Sequence, residues 1–272
     1  MNSDDRAGGG RVADWALILG ASSGFGEAAA RAFAEAGYNI YGVHLDRKST
    51  LAHAEEVAAA IKEAGREGEF FNVNAADPVK RGEIVSHIAG RLTGSGEQVR
   101  VLLHSLAFGT LKPYIGREGQ LGLQQKELEM TLDVMANTLL YWAQDLVASG
   151  VMGEGGRIFS MTSTGDTHAW HSYGAVSAAK AALEAHTRQL ALELAPAGIT
   201  VNAIRAGVTD TPALRKIPGA EVMIESAAKR NPHRRLTTPE DVAQALVALA
   251  GPGTHWITGN VIGIDGGEEI AG

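Results

Sequence analysis

The sequence predicts an α/β protein in which one doubly wound parallel sheet of about seven strands carries helices on both faces. Two observations lead to this prediction. Short apolar runs alternate with alanine-rich amphipathic stretches along the whole chain, and a glycine-rich turn follows the first apolar run. Such alternation is typical of βαβ units, in which both faces of the sheet are covered. The 272 residues contain no repeat or linker and fit one large domain.

Seven apolar runs are predicted to be strands, and six amphipathic stretches to be helices. The strands are Trp15–Leu19, Asn39–His44, Glu69–Val73, Val99–His104, Arg157–Met161, Thr200–Ile204 and Val261–Ile264. The helices are Glu27–Ala36, Leu51–Ala64, Val79–Leu92, Gln124–Ser149, Ala175–Ala195 and Pro239–Leu249. We expect residues 1–12, which are polar and glycine-rich, to form a mobile tail, and residues 13–272 to form the domain.

Composition excludes several classes of protein. The net charge of −7 argues against a nucleic-acid partner, and the absence of cysteine excludes disulfides and thiolate sites. No apolar run approaches the roughly 18 residues of a membrane span, and no signal sequence opens the chain. We therefore expect a cytoplasmic protein with no membrane contact.

The glycine-rich turn between the first strand and the first helix predicts a nucleotide site. Glycines let the chain turn tightly and let backbone N–H groups approach a phosphate, which then faces the positive end of the helix dipole. The position of the turn, after a strand and before a helix, is the one that a Rossmann-type dinucleotide site requires. The turn reads Gly20-Ala21-Ser22-Ser23-Gly24-Phe25-Gly26.

Tyr173 and Lys180 are the candidate acid–base pair. They are seven residues apart, almost two helical turns, at the start of the helix predicted after the fifth strand. Fully helical residues at that spacing lie roughly 10 Å apart, so we place Tyr173 in or just before the first turn, folded back toward Lys180. There the ammonium would lower the pKa of the phenol. A surface tyrosine and a surface lysine on an ordinary helix are the alternative.

These motifs together resemble the short-chain dehydrogenase/reductase family. The resemblance runs from Trp15 to Gly267 and includes the glycine turn, Lys180-Ala181-Ala182-Leu183 and Ile264-Asp265-Gly266-Gly267. Usual members carry the tyrosine four residues before the lysine, where this chain has Val176. The seven-residue spacing, and the segment Leu103-His104-Ser105-Leu106-Ala107, resemble bacterial enoyl-[acyl-carrier-protein] reductases, most closely the NADPH-using type III enzymes.

The resemblance implies roles for further residues. Tyr173 and Lys180 would be catalytic, Lys180 would also bind the nicotinamide ribose, and Thr162 or Ser163 would replace the family's serine. Asn74 and Ala75 would flank the adenine, and Met135 holds the place of the helical asparagine, with Asn137 nearby. The implied cofactor contacts are Gly20, Ser22, Ser23, Gly24, Phe25, Gly26, Arg47, Asn74, Ala75, Ser105, Lys180, Gly207, Val208, Thr209 and Thr211.

The end of the second strand bears on the choice between NADP and NAD. The NAD-selecting acid of the family would fall near His44, and Asp46 lies two residues later. Arg47 and Lys48 can clamp a 2′-phosphate, which favours NADP(H) over NAD(H). A solvated loop of mixed charge is the alternative.

The function that we expect is NADP(H)-dependent reduction of the C=C bond of a trans-2-enoyl thioester, as in enoyl-acyl carrier protein reductase. The alternatives are a carbonyl reductase or alcohol dehydrogenase on the same scaffold and a non-catalytic nucleotide-sensing module. A substrate lid is expected at about residues 210–232, where basic clusters suggest docking of an acyl carrier protein, and a homotetramer is expected through the fourth and fifth predicted helices. His168 and His171 have no carboxylate partner at a fixed offset, so we assign no metal site.

Overall fold

Seven parallel strands form a single sheet in the computed structural model, which describes residues 14–117, 119 and 121–271. The strands lie in the order β3-β2-β1-β4-β5-β6-β7, which confirms the predicted doubly wound α/β architecture. The order reverses at β1, so a crevice opens beyond the carboxyl ends of β1 and β4. The strands are β1 Trp15–Leu19, β2 Asn39–His44, β3 Gly68–Asn72, β4 Val99–His104, β5 Arg157–Thr162, β6 Thr200–Ala206 and β7 Val261–Ile264.

Alternate residues of each strand point to opposite faces of the sheet, and both faces are covered. In β1, Trp15, Leu17 and Leu19 belong to one buried cluster, and Ala16 and Ile18 belong to the other. The first cluster includes residues of α3, α5 and α6, and the second includes residues of α1, α2 and α8. The helices are α1 Gly24–Glu35, α2 Leu51–Glu63, α3 Pro78–Leu92, α4 Gln125–Leu132, α5 Thr138–Ala148, α6 Gly174–Leu194, α7 Ala220–Arg230 and α8 Pro239–Ala250.

Three helical predictions differ from the structure. Helix α1 begins at Gly24 rather than Glu27, because the glycines that predict a turn also form its first residues. The stretch predicted as one helix over Gln124–Ser149 is interrupted by a π-helical segment at Asp133–Asn137. Helix α7 was not predicted as a helix, since it lies within the segment expected to form a lid.

The predicted tail, residues 1–12, lies outside the described residues, as do residues 13 and 272 of the predicted domain. Within the described part of the chain, no helix is both long enough and apolar enough to cross a membrane.

Candidate active site

A cleft of about 580 Å³ lies at the carboxyl ends of the central strands. Most residues that the sequence assigned to the cofactor line it, so the structure brings together segments more than 180 positions apart. A Rossmann cleft of this kind accepts an extended dinucleotide across the point where the strand order reverses. The predicted residues that line it are Gly20, Ser22, Ser23, Gly24, Phe25, Arg47, Asn74, Ala75, Ser105, Thr162, Ser163, Lys180 and Thr211.

The glycine turn is closely packed. Gly20 has φ of +90°, and a Cβ atom there would lie 2.4 Å from the carbonyl oxygen of Ser105. At Gly26 a Cβ atom would lie 1.9 Å from the carbonyl oxygen of Gly20, so this glycine lets α1 pack onto the turn. Gly26 does not line the cleft, and it therefore acts through packing rather than by contact with a cofactor. The N-terminus of α1 opens into the cleft, as phosphate binding requires.

The end of β2 places two opposite charges beside the cleft. Asp46 accepts a 2.8 Å hydrogen bond from Nδ1 of His44. Burial favours a higher pKa for Asp46, but hydrogen bonds from Ser22, Thr50 and His44 outweigh it and lower the pKa. Asp46 is thus a carboxylate whose acceptor positions are largely occupied by protein donors. Arg47 lines the cleft, whereas Lys48 is exposed outside it.

Tyr173 lies where the sequence analysis placed it, directly before the first residue of α6, and it faces a cavity of about 230 Å³. The preceding residue, Ser172, has φ of +61°, a left-handed conformation that is strained for a residue with a side chain. This turn directs the Tyr173 ring back over Gly165, where a Cβ atom would lie 2.4 Å from Cε1 of the ring. Lys180, Thr162 and Ser163 line the same cavity.

Only one of the two predicted hydroxyl groups contacts the tyrosine. Ser163 Oγ lies 3.4 Å from the Tyr173 hydroxyl, whereas Thr162 Oγ1 donates a 2.8 Å hydrogen bond to Glu184. Burial raises the pKa of Tyr173, the Ser163 contact opposes this, and the charge of Asp166 raises it further. The prediction that Lys180 lowers this pKa is therefore wrong for this structure. The phenol is buried beside a carboxylate, so it stays protonated at neutral pH and can donate a hydrogen bond.

Lys180 is buried, and its ammonium donates a 2.7 Å hydrogen bond to the carbonyl oxygen of Met161. Desolvation lowers its pKa from 10.5 to about 8. His104 is buried as well, and its Nε2 contacts Thr138 Oγ1 at 2.7 Å. Desolvation, and then the charge of Lys180, lower the pKa of His104 to about 3. His104 is thus a neutral ring, and Lys180 carries the positive charge of this region.

Apolar side chains form the far wall of the 230 Å³ cavity. Met135, in the π-helical segment, lines the cavity, while the side chain of Asn137 contacts His186. Val176, at the usual tyrosine position, is also buried against the cavity. A π-helical segment inside a longer helix commonly marks a functional site. The apolar residues of this wall are Leu111, Met135, Val176, Leu214, Ile217 and Met223.

The segment after β6 lines the cavity and contacts a residue that the sequence analysis missed. Gly207, Val208, Thr209 and Thr211, predicted as cofactor contacts, lie on the cavity wall, and of the four only Thr211 also lines the cleft. The backbone N–H of Val208, assigned to the cofactor, donates a 3.1 Å hydrogen bond to Glu268. Glu268 is 60 residues away along the chain, so only the fold brings it to this position.

The predicted lid segment contributes six of its residues to the cavity, including Leu214, Ile217 and Met223. It is tied to the loop before Tyr173 by a 3.0 Å hydrogen bond from Trp170 Nε1 to the carbonyl oxygen of Pro218. That the segment moves as a lid stays a prediction.

His168 lines the cavity, and no cluster of three or more metal-ligating side chains occurs in residues 14–117, 119 and 121–271.

Comparison with known proteins agrees with this geometry. The family model described as Enoyl-(Acyl carrier protein) reductase matches residues 20–269. The chain is 29% identical to the 1-cyclohexenylcarbonyl-CoA reductase of Streptomyces collinus over 93% of this chain and 86% of that one. Its fold matches the enoyl-[acyl-carrier-protein] reductase (NADH) of Aquifex aeolicus with a TM-score of 0.82, at 23% identity and 95% and 97% coverage. A short-chain dehydrogenase of Burkholderia cenocepacia in complex with NADP matches with a TM-score of 0.79, at 29% identity and 94% and 98% coverage.

The fold and the site define an oxidoreductase with a Rossmann-type cleft for a nicotinamide cofactor. The chain belongs to the short-chain dehydrogenase/reductase family, in the group whose model is described as Enoyl-(Acyl carrier protein) reductase.

Proposed function

We propose that this protein is an NADP(H)-dependent reductase that saturates the C=C bond of a trans-2-enoyl thioester. The observation that carries the proposal is the position of Tyr173. Its hydroxyl reaches the cavity from the N-terminus of α6, seven residues before Lys180, while buried Val176 fills the four-residue position. The name of the Streptomyces collinus relative, a reductase of an unsaturated acyl-CoA, supports the same reaction class.

The residues of the cleft fit a nicotinamide dinucleotide. The tight turn at Gly20, the helix N-terminus at Gly24 and the hydroxyl groups of Ser22 and Ser23 are suited to a pyrophosphate. Lys180 faces both the cleft and the cavity, where its ammonium would hold the nicotinamide ribose. When bound, the cofactor supplies the hydride that reaches the β-carbon of the substrate.

Tyr173 then serves the other end of the conjugated system. As negative charge develops on the thioester oxygen, a protonated Tyr173 donates a hydrogen bond or its proton there. Its raised pKa, which burial and Asp166 cause, keeps it in the donating form. The ammonium of Lys180 supplies a positive charge next to this developing anion. Ser163 Oγ, 3.4 Å from the phenol, is the side-chain hydroxyl placed to orient the Tyr173 hydroxyl when substrate binds.

The cavity favours an uncharged acyl group. Its wall is mostly apolar, and Asp265, Glu268 and Glu269 also face it. Like charges in a confined site disfavour a second carboxylate, so a free carboxylic acid is a worse ligand here than its thioester. The acyl chain would lie against Met135, Val176 and the lid segment.

The preference for NADP(H) rests on Arg47. Arg47 is an exposed cation on the wall of the cleft, where a guanidinium can bind a 2′-phosphate in a bidentate manner. The hydrogen bonds of Asp46 with Ser22, Thr50 and His44 leave this carboxylate fewer free acceptor positions for the ribose 2′-hydroxyl that an NAD-selecting acid would bind. The known complex of the Burkholderia cenocepacia relative with NADP is compatible with this choice.

We further propose a cytoplasmic homotetramer that accepts thioesters of coenzyme A or of an acyl carrier protein. Among the basic residues predicted to dock a carrier, Arg215, Arg230 and Arg235 are paired with Asp210, Glu268 and Asp241. Lys216 remains exposed at the rim of both the cleft and the cavity. A carrier would therefore meet Lys216 first.

The test compares one panel of substrates with one variant. We would follow NADPH oxidation with crotonyl-CoA, 1-cyclohexenylcarbonyl-CoA, acetoacetyl-CoA and a simple ketone. The proposal predicts turnover of at least one enoyl thioester, with sharp loss in Tyr173→Phe at unchanged NADPH affinity. Turnover confined to acetoacetyl-CoA or the ketone would make the protein a carbonyl reductase. Cofactor binding without any turnover would favour the nucleotide-sensing module.

A further inference from the structure

A buried cluster of charged side chains lies beneath the loop that precedes Tyr173. Glu184 on α6, Asp166 in the loop and Arg205 on β6 are its inner members, and Glu269 forms the outer edge. The side chains of Asp166 and Glu184 are only 6% and 9% exposed. We call these four residues the carboxylate cluster. None of them was assigned a function from the sequence.

The cluster has an imbalance of charge. Three carboxyl groups surround one guanidinium, and every Arg205 nitrogen–carboxylate distance is 3.9–4.0 Å, too long for a direct hydrogen bond. Arg205 Nε and Asp166 Oδ1 are buried and have no hydrogen-bond partner among the described residues. Two adjacent carboxylates in a buried site cannot both ionise without a large penalty, so one proton is required.

Glu184 is the member that is built to hold the proton. Thr162 Oγ1 donates to its Oε1 at 2.8 Å, which leaves the other oxygen free to carry a hydrogen toward Asp166. Burial is the largest effect on Glu184 and raises its pKa. The hydrogen bond from Thr162 and the charge of Arg205 lower this pKa. The hydrogen bond with Asp166 and the charge of Asp166 raise it. A protonated Glu184 would donate to a carboxylate, and such charge-assisted bonds are the stronger ones.

The two acids join the two elements that carry the candidate catalytic residues. Glu184 follows Lys180 by four residues on α6, so both side chains lie on one face of the helix. Asp166 closes a 3₁₀ turn, Thr164–Asp166, whose Gly165 packs against the Tyr173 ring. A bond between Glu184 and Asp166 therefore ties the backbone beneath the tyrosine to the helix of the lysine.

We propose that Glu184 and Asp166 share one proton as a carboxylic acid–carboxylate pair, and that this pair positions the Tyr173 hydroxyl for catalysis. Glu184 is a positioning residue, since it contacts neither the phenol nor the cavity. The inference rests on the proposed role of Tyr173 as the proton donor.

The pair makes the site sensitive to a rise in pH, because the pKa of the Glu184 carboxyl lies above the ordinary value of a glutamate. The charged groups that face Glu184 are Asp166 from the loop and Arg205 from β6, with Glu269 beyond Arg205 and Lys180 on its own helix. The pKa of the Glu184 carboxyl is higher in the folded protein than in the unfolded chain. The pair therefore stabilises the fold fully at pH values below the unfolded-state pKa of Glu184. This stabilisation is lost as pH rises through the folded-state pKa. The two carboxylates then repel each other, and the loop over residues 163–172 loosens.

Glu184→Gln tests the proposal, because an amide can donate to Asp166 and accept from Thr162 at every pH. Asp166→Asn is the reciprocal variant, and Glu193→Gln, an exposed position on the same helix, is the matched control. Both test variants should keep kcat within about threefold at pH values where the wild type is fully active, and they should carry activity to higher pH than the wild type does. Glu184→Ala should lower kcat by about tenfold or more with little change in the KM for NADPH.

Hydrogen–deuterium exchange of the segment 163–172 gives a readout that needs no substrate. As pH rises, the wild-type segment should lose protection against exchange, whereas the same segment of Glu184→Gln at the same pH should keep it. The control Glu193→Gln should behave like the wild type. The proposal is overturned if Glu184→Gln loses activity and protection with rising pH as the wild type does, or if Glu184→Ala leaves both unchanged. Exchange that follows the prediction in a protein without enoyl reduction would uphold the pair and reject the proposed function instead.

Discussion

Replacing the buried Lys180 by methionine should make the protein more stable while removing its activity. The ammonium is desolvated on α6, and its pKa falls from 10.5 to about 8. Each pKa unit corresponds to about 1.4 kcal/mol, so near neutral pH the buried charge costs on the order of 3 kcal/mol. The variant also loses the hydrogen bond to the Met161 carbonyl, and this loss offsets about 1 kcal/mol of the stability gained by removing the buried charge. The net gain is about 2 kcal/mol, or a rise in Tm of roughly 4 °C for a domain of this size.

The pH dependence distinguishes this cause from better packing. The unfolded chain keeps the lysine proton up to a pH near 10.5, whereas the folded protein releases it near pH 8. The stability of the wild type therefore increases between these two values, and the advantage of Lys180→Met should vanish across the same window. The assay is thermal unfolding near pH 6.5 and near pH 10, with Lys126→Met, an exposed lysine on α4, as the control. A lower Tm for Lys180→Met at both values, or a gain that does not change with pH, would refute the reasoning.

Three further predictions concern the cofactor, the acid and the assembly. Arg47→Ala should weaken NADPH binding by about 1–3 kcal/mol and leave NADH binding nearly unchanged. Fluorescence titration with both cofactors checks this, and an equal loss of affinity for both would show that Arg47 does not recognise the 2′-phosphate. Tyr173→Phe should preserve the fold and NADPH affinity while kcat falls by about 100-fold or more, because the lost contact is made only in the transition state. Stopped-flow binding measures the NADPH affinity and steady-state assays measure kcat. Full turnover would point to Ser163 or His168 as the proton donor instead. Sedimentation at micromolar concentration should give a homotetramer, because the half-buried Tyr141 adds apolar surface to α5 beyond the side that packs on the sheet. A monomer would contradict this prediction.

The sequence predicted best what depends on local pattern. The bounds of β1, β2, β4 and β7 agree with the structure, because apolar runs between turn residues are a short-range signal. The position of Tyr173 before α6 followed from helical geometry in the same way. The π-helical segment at Asp133–Asn137 could not be predicted, since it depends on how that helix packs against its neighbours.

Long-range contacts account for what the sequence analysis missed. Glu268 reaches the backbone of Val208 only because β7 pairs with β6. Glu184 and Asp166 look like ordinary polar residues until the loop folds over α6. The pKa of Tyr173 was expected to fall beside Lys180, yet burial and Asp166 raise it, and neither effect can be read from the spacing of two residues.

The destination of the hydride tests the central claim most directly. The protein would be given crotonyl-CoA and NADPH that carries deuterium at the transferable position of the nicotinamide ring. Mass spectrometry and NMR would then locate the label in the product. The account predicts butyryl-CoA with deuterium on the β-carbon and none on the carbonyl carbon, and no labelled product from Tyr173→Phe on the same time scale. Deuterium on a carbonyl-derived carbon, or unchanged crotonyl-CoA beside rapid reduction of acetoacetyl-CoA, would contradict it.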